Sequence, residues 1–154
     1  MSETLSTAAL GSVLQDFLAL SRILTGVENL EEELGRQYLD RLTSTPYEPF
    51  LRQILERFQK MRDDETLADR VKQQILGEDT LRPTVCQVIL LWYTSAMQDN
   101  LDTPGVLRYG TQEEYFSGVG WAVIGAHAPG LSGGYFGHWR YRPDNEPLEA
   151  VDGA

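Results

Sequence analysis

The side chains best suited to chemistry at neutral pH are His127, His138 and the single cysteine, Cys86. Neither histidine belongs to an HExxH, ExxH or closely spaced His/Asp set, so hydrogen-bonding loop histidines are the plainer reading and a metal site the minor one. Cys86 sits inside an apolar helical run and is expected to be a buried, inert thiol. No GxSxG elbow is present. The glycines of Gly130-Leu131-Ser132-Gly133-Gly134 lack the Lys-Ser/Thr and the preceding strand that a phosphate loop needs. Glu31-Glu32-Glu33 and Asp63-Asp64-Glu65 fall at predicted helix starts, where carboxylates favour the helix dipole and face solvent. The expectation is therefore a chain with no catalytic, cofactor-binding or metal-binding residues of its own.

What survives this filter is a segment suited to contact. Trp121 to Pro143 holds two of the three tryptophans, two of the seven tyrosines and both histidines, strung on glycine and proline. Such a stretch cannot be regular helix. Tyr135, Phe136, His138, Trp139 and Tyr141, interleaved with Arg140 and Arg142, have the composition of a protein–protein hot spot. Composition leaves two roles open for these rings: gripping a partner, or folding back to complete the chain's own core.

The elements that must carry this segment read as helices. Leu10, Val13, Leu14, Phe17, Leu18, Leu20, Ile23 and Leu24 follow helical spacing, with Gly26 placed to end the first helix. A second is predicted over Leu30–Leu42, capped by Asn29, and a third over Tyr47–Met61 with Pro49 in its first turn. Asp63 or Asp64 caps a fourth, peripheral one, Glu65–Leu76. The fifth, Pro83–Met97, is apolar on nearly all sides and is expected in the middle. After a loop over 99–110, Thr111 and Glu114 have capping-box spacing and start a sixth helix reaching about Ile124. Gly118 and Gly120 weaken it by roughly 1 kcal/mol each relative to Ala, but would admit another backbone closely. The expected fold is all-α: a single-domain bundle of about six helices over 1–125, with an irregular extension over 126–154.

At 154 residues the chain suits one domain, and its 42% hydrophobic and 23% charged content is ordinary for a globular protein. A net charge of −10 disfavours binding to nucleic acid or to an anionic membrane surface. The longest apolar run, Val88–Tyr93, is too short to span a bilayer. The first residues carry neither a basic region nor paired arginines, so they do not read as an export signal.

Three stretches together resemble one family. Phe17-Leu18-Ala19-Leu20-Ser21-Arg22-Ile23-Leu24-Thr25-Gly26 is similar to an FxxLSxxLTG opening. Ile89-Leu90-Leu91-Trp92-Tyr93 is similar to an apolar run ending in Trp-Tyr, and Ala128-Pro129-Gly130, Gly133-Gly134 and Gly137-His138-Trp139 to a tail that ends near Pro143. The family is the small subunit of membrane-associated FAD-dependent sugar and sugar-alcohol dehydrogenases, of the sorbitol, fructose, glucose and gluconate types. The resemblance implies a non-catalytic subunit that binds, stabilises and helps mature a large FAD-containing subunit. That large subunit would carry the FAD, and an iron–sulfur cluster or a cytochrome c partner would carry electrons away. It also implies a periplasmic place, reached by co-export, with the cytoplasm as the alternative. Where many relatives have a cysteine near the Gly-Gly pair this chain has Ser132, so contact there would be non-covalent. A transient chaperone for a secreted flavoprotein is the nearest rival. A stand-alone metal-dependent enzyme using His127 and His138 is the more distant one.

Overall fold

The computed structural model describes residues 7–98 and 107–126. Within them the chain forms α1 (Thr7–Thr25), α2 (Glu32–Thr43), α3 (Glu48–Met61), α4 (Leu67–Val71) and α5 (Arg82–Thr94). A short ribbon, β1 (Ala96–Gln98) and β2 (Leu107–Tyr109), follows, and then α6 (Gln112–Phe116) and α7 (Val119–Val123). The fold is all-α apart from that ribbon. The tail assigned to 126–154 lies outside the described residues, except for Ala126.

The first three helices follow their apolar stripes. Leu14, Phe17, Leu18 and Leu20 of α1 are buried against Leu34, Tyr38 and Leu42 of α2 and Leu51, Ile54 and Phe58 of α3. Gly26, at φ 71°, ends α1 by donating from its amide to the Arg22 carbonyl. Gly35 allows α2 close to its neighbours, since a Cβ there would lie 2.6 Å from a Leu18 methyl. α2 starts two residues later than its pattern suggests. Leu30 is buried in the approach to the helix, and Glu31, extended and without a side-chain cap bond, holds the cap position expected for Asn29.

α4 runs into a π turn over Lys72–Leu76, closed by Gly77 donating to the Lys72 carbonyl at 2.9 Å. Asp64 prepares its start, accepting from both the Thr66 hydroxyl and the Thr66 amide, bonds that hold its carboxyl below the usual range. Val71 and Ile75 are buried in the core, and half-buried Leu67 and Leu76 pack against it.

α5 differs from its reading in two respects. It is central, with Trp92 wholly buried, 6.5 Å from the Phe17 ring and edge-on to Tyr38 at 5.1 Å. However, its buried residues Thr84, Val85, Gln87, Val88, Leu91 and Trp92 form one broad face, and the opposite edge reaches water. Cys86 lies on that edge and is exposed, contrary to the buried thiol expected from its apolar neighbours. The helix also stops at Thr94, because Ser95 adopts φ 52° and turns the chain into β1.

The ribbon occupies sequence read as helix end and loop. Ala96, Met97 and Gln98 pair antiparallel with Tyr109, Arg108 and Leu107. The other edge of β1 is held by a side chain: buried Gln87 donates to the Ala96 carbonyl at 3.0 Å and accepts from the Gln98 amide at 2.9 Å. An amide side chain thus stands in for a third strand. We expect Gln87→Met to cost about 1–3 kcal/mol in denaturant unfolding, because it leaves two buried backbone groups unpaired. Faster hydrogen exchange at the Gln98 amide checks that the loss arises there.

Candidate docking surface

The surface that adjoins the tail is built from β2, α6 and α7, and one ion pair ties it to the bundle. Arg41, in the last turn of α2, donates through Nη2 to both carboxylate oxygens of Glu114 at 2.6 and 2.5 Å. Glu114 is 6% exposed, and its carboxylate also accepts from the Thr111 amide at 3.1 Å. In return Thr111 Oγ1 accepts from the Glu114 amide at 3.2 Å, which completes the capping box foreseen from the sequence. Gly110 fits beside this group because any side chain there would meet the Glu114 carboxylate.

Beneath the pair, the Arg41 guanidinium stands 5.8 Å from the Tyr38 ring centroid. The Tyr38 hydroxyl is buried with no hydrogen-bond partner. Burial, and then the Glu114 charge, push its pKa well above the ordinary value, with Arg41 opposing.

The expected sixth helix is broken into two at Gly118, and the break has a use. A Cβ at Gly118 would lie 2.9 Å from the Tyr93 carbonyl oxygen, and one at Gly120 would lie 2.7 Å from it. The two glycines therefore seat α7 on the last turn of α5, the close backbone approach their spacing suggested. Trp121 Nε1 donates to the Tyr115 carbonyl at 3.0 Å and locks α7 to α6. Tyr93 is held from the other side by its hydroxyl, which donates to the Thr25 carbonyl at 3.0 Å.

These contacts leave aromatic side chains grouped at the surface. Tyr115 meets Tyr109 edge-on at 6.3 Å and Trp121 edge-on at 5.4 Å, with Phe116 tilted at 6.0 Å. An open, mainly apolar cleft of about 340 Å³ runs among Tyr93, Tyr109, Tyr115, Gly120, Trp121 and Ile124. Around it Tyr109 is 61%, Val123 57% and Ile124 69% exposed. On the far side of Thr111 lies a second hollow, lined by Glu31, Glu33, Glu113 and Glu114. The apolar cleft thus lies on the Tyr115 side of α6 and the acidic hollow on the side of Glu113 and Ser117.

The residues expected to bind a partner, Tyr135, Phe136, His138, Trp139 and Tyr141, lie outside the described residues, as does His127. Among the described residues no group of three His, Cys, Asp or Glu could hold a metal ion, and no helix is long and apolar enough to cross a membrane. Sequence reasoning missed Tyr93, Tyr109 and Tyr115 as surface-forming residues, and it missed the second role of Glu114. The capping-box spacing located Glu114, but nothing local points to a partner 73 residues away.

The family described as membrane-bound FAD-containing D-sorbitol dehydrogenase matches residues 1–111. The chain belongs to that family, which is the small-subunit family its motifs resemble. No curated protein matches it. The match ends at the cap of α6, so α6, α7 and the tail lie beyond it.

The family name introduces FAD, and the described residues do not fit it. A dinucleotide is gripped where a glycine-rich turn links a parallel strand to a helix, whereas the strands here form one antiparallel ribbon. The clefts on this face hold about 330 to 410 Å³, near the lower limit for ligand pockets, and the acidic one would repel the pyrophosphate.

Two outcomes follow from the pinned geometry. Arg41→Ala should cost about 2–3 kcal/mol, less than for a fully buried pair because Arg41 is a quarter exposed. Exchange protection should be lost first in 107–126, and Arg41→Ala with Glu114→Ala together should cost less than the sum of the two. Tyr38→Phe should be nearly neutral at pH 7, since it removes a buried hydroxyl that has no partner. With the folded pKa raised above the unfolded value of about 10, the hydroxyl's contribution is constant below about pH 10, and it destabilises the fold progressively as pH rises above that. Between pH 7 and pH 11, therefore, urea midpoints of the wild type should fall further than those of Tyr38→Phe.

Proposed function

We propose that this chain is the non-catalytic small subunit of an FAD-dependent sugar or sugar-alcohol dehydrogenase complex. It binds the FAD-containing catalytic subunit, stabilises it and assists its maturation. The observation that carries this reading is the family match over residues 1–111. Two features support it. The described residues suit contact better than chemistry, and their exposed rings adjoin the point where the aromatic tail begins.

On this reading FAD, and an iron–sulfur cluster where one is used, reside in the large subunit, and a cytochrome c is reached through the complex. The complex is membrane-associated on the periplasmic side, and this chain arrives there by travelling with its partner. Tyr135, Phe136, His138, Trp139 and Tyr141 supply the grip, as rings that bury large area at little entropic cost.

Co-expression with the large subunit tests this. Trp139→Ala should remove about 2 kcal/mol of binding, close to a thirtyfold weaker Kd, and deplete the flavoprotein from the purified complex. Helical circular dichroism of the isolated chain should not change. A Trp139→Ala chain that unfolds alone would place the ring in the core and overturn its assignment to the partner. Loss of this subunit from the mature, active complex would leave only a transient chaperone role.

A further inference from the structure

The described chain ends at the rim of the aromatic cleft. Gly125, at φ 65°, donates from its amide to the Ala122 carbonyl at 3.1 Å, and Ala126 donates to the Trp121 carbonyl at 2.9 Å. These two bonds are the Schellman pattern, which turns the chain back on the helix it leaves. They bring Ala126 beside Trp121, one wall of the cleft, and Ile124 of the same turn is another. Residues 127–154 therefore begin at the cleft itself. A strand of chain covers about 3.3 Å per residue, so the rings from Tyr135 onward can return to it easily.

Composition then selects the part of the tail that fits. In a chain with 23 acidic residues, the stretch 127–143 contains none, and it carries Arg140 and Arg142 among Leu131, Tyr135, Phe136, Trp139 and Tyr141. Acidic residues return from Asp144 onward. The surface beside it is complementary in kind: an apolar cleft on the Tyr115 side of α6, and across that helix a hollow walled by Glu31, Glu33, Glu113 and Glu114. Left in water, Val123 and Ile124 would be exposed apolar side chains beside three exposed or half-exposed rings.

We infer that this cleft is the seat of the chain's own residues 127–143, with rings in the apolar part and arginines toward the carboxylates. A cleft of about 340 Å³ cannot take every ring of the segment, so some are held from beneath while others face outward. The tail is thereby pre-organised on the helical platform, which lowers the ordering cost of any later contact. The inference goes beyond the partner-binding reading and is tested without the partner, so either can fail alone.

The test uses the purified full chain at high dilution, with the photocrosslinker p-benzoylphenylalanine in place of Tyr109. Irradiation should give an intramolecular link to a peptide within 127–143. Links only to a second copy, only to the helices, or none at all would overturn the proposal. The second measurement is chymotryptic cleavage after Tyr135 or Phe136. Ile124→Asp places a charge in the cleft at an exposed position, and it should speed that cleavage at least tenfold while helical content is unchanged. An unchanged cleavage rate would equally overturn it.

Discussion

Glu114 performs two tasks with one carboxylate, and the last twenty described residues depend on both. It completes the capping box that starts α6, and it receives both bonds from Arg41 across the groove to α2. A local motif is thereby turned into a tertiary one. Without the capping box α6 is a single turn with little reason to form, since isolated short helices are unstable in water. Without Arg41 the turn could form but would have no fixed place. The ribbon, α6 and α7 are connected in series, so the position of the aromatic cleft follows from this contact and from the glycines of α7.

The contact also explains an unusual feature of the core. Tyr38 is packed between Trp92 and the Arg41 guanidinium, and its buried hydroxyl has no partner. The ring contributes area and shape, and it gives Arg41 a flat surface on which to lie. One guanidinium nitrogen serves both carboxylate oxygens, while the rest of the group stands over the Tyr38 ring, a contact the strongly hydrated ammonium of lysine would make less well. The polar cost at Tyr38 is thus coupled to the positioning of the pair above it.

Much of the bundle was legible because its rule is local. Leu14, Phe17 and Leu18, or Leu51, Ile54, Leu55 and Phe58, announce a helix by spacing alone, and so does the Thr111–Glu114 cap. Features set by distant contacts were not legible. Ala96–Gln98 is too short to show strand alternation, and it becomes a strand because a Gln87 side chain and β2 hold its two edges. Asp16 reads as a polar letter on α1, yet it is 1% exposed and accepts from Gln59 and Arg62 of the α3 end. Cys86 fails in the opposite sense: its neighbours are apolar, but it falls on the exposed edge of α5. Of the surface that adjoins the tail, the cap, the two glycines and Trp121 were visible beforehand, whereas Tyr93, Tyr109 and Tyr115 were not, because these rings are brought together from α5, β2 and α6.

The limits of the family match sharpen what the remainder of the chain can be for. Among the described residues, the hydrophobic cluster lies within residues 1–111 except for half-buried Val119 packed on its edge, so α6 and α7 add little to that core. A domain that already has its core gains little stability from adding an exposed aromatic cleft, and exposed apolar surface carries an aggregation cost. A half-buried ion pair and two glycines against a carbonyl hold that cleft in place, as suits a surface whose geometry matters to something that packs there. The chain's own stretch without carboxylates starts at its rim. The body around it is acidic, so the charge pattern favours that stretch over any other part of this chain as the group that settles onto the face.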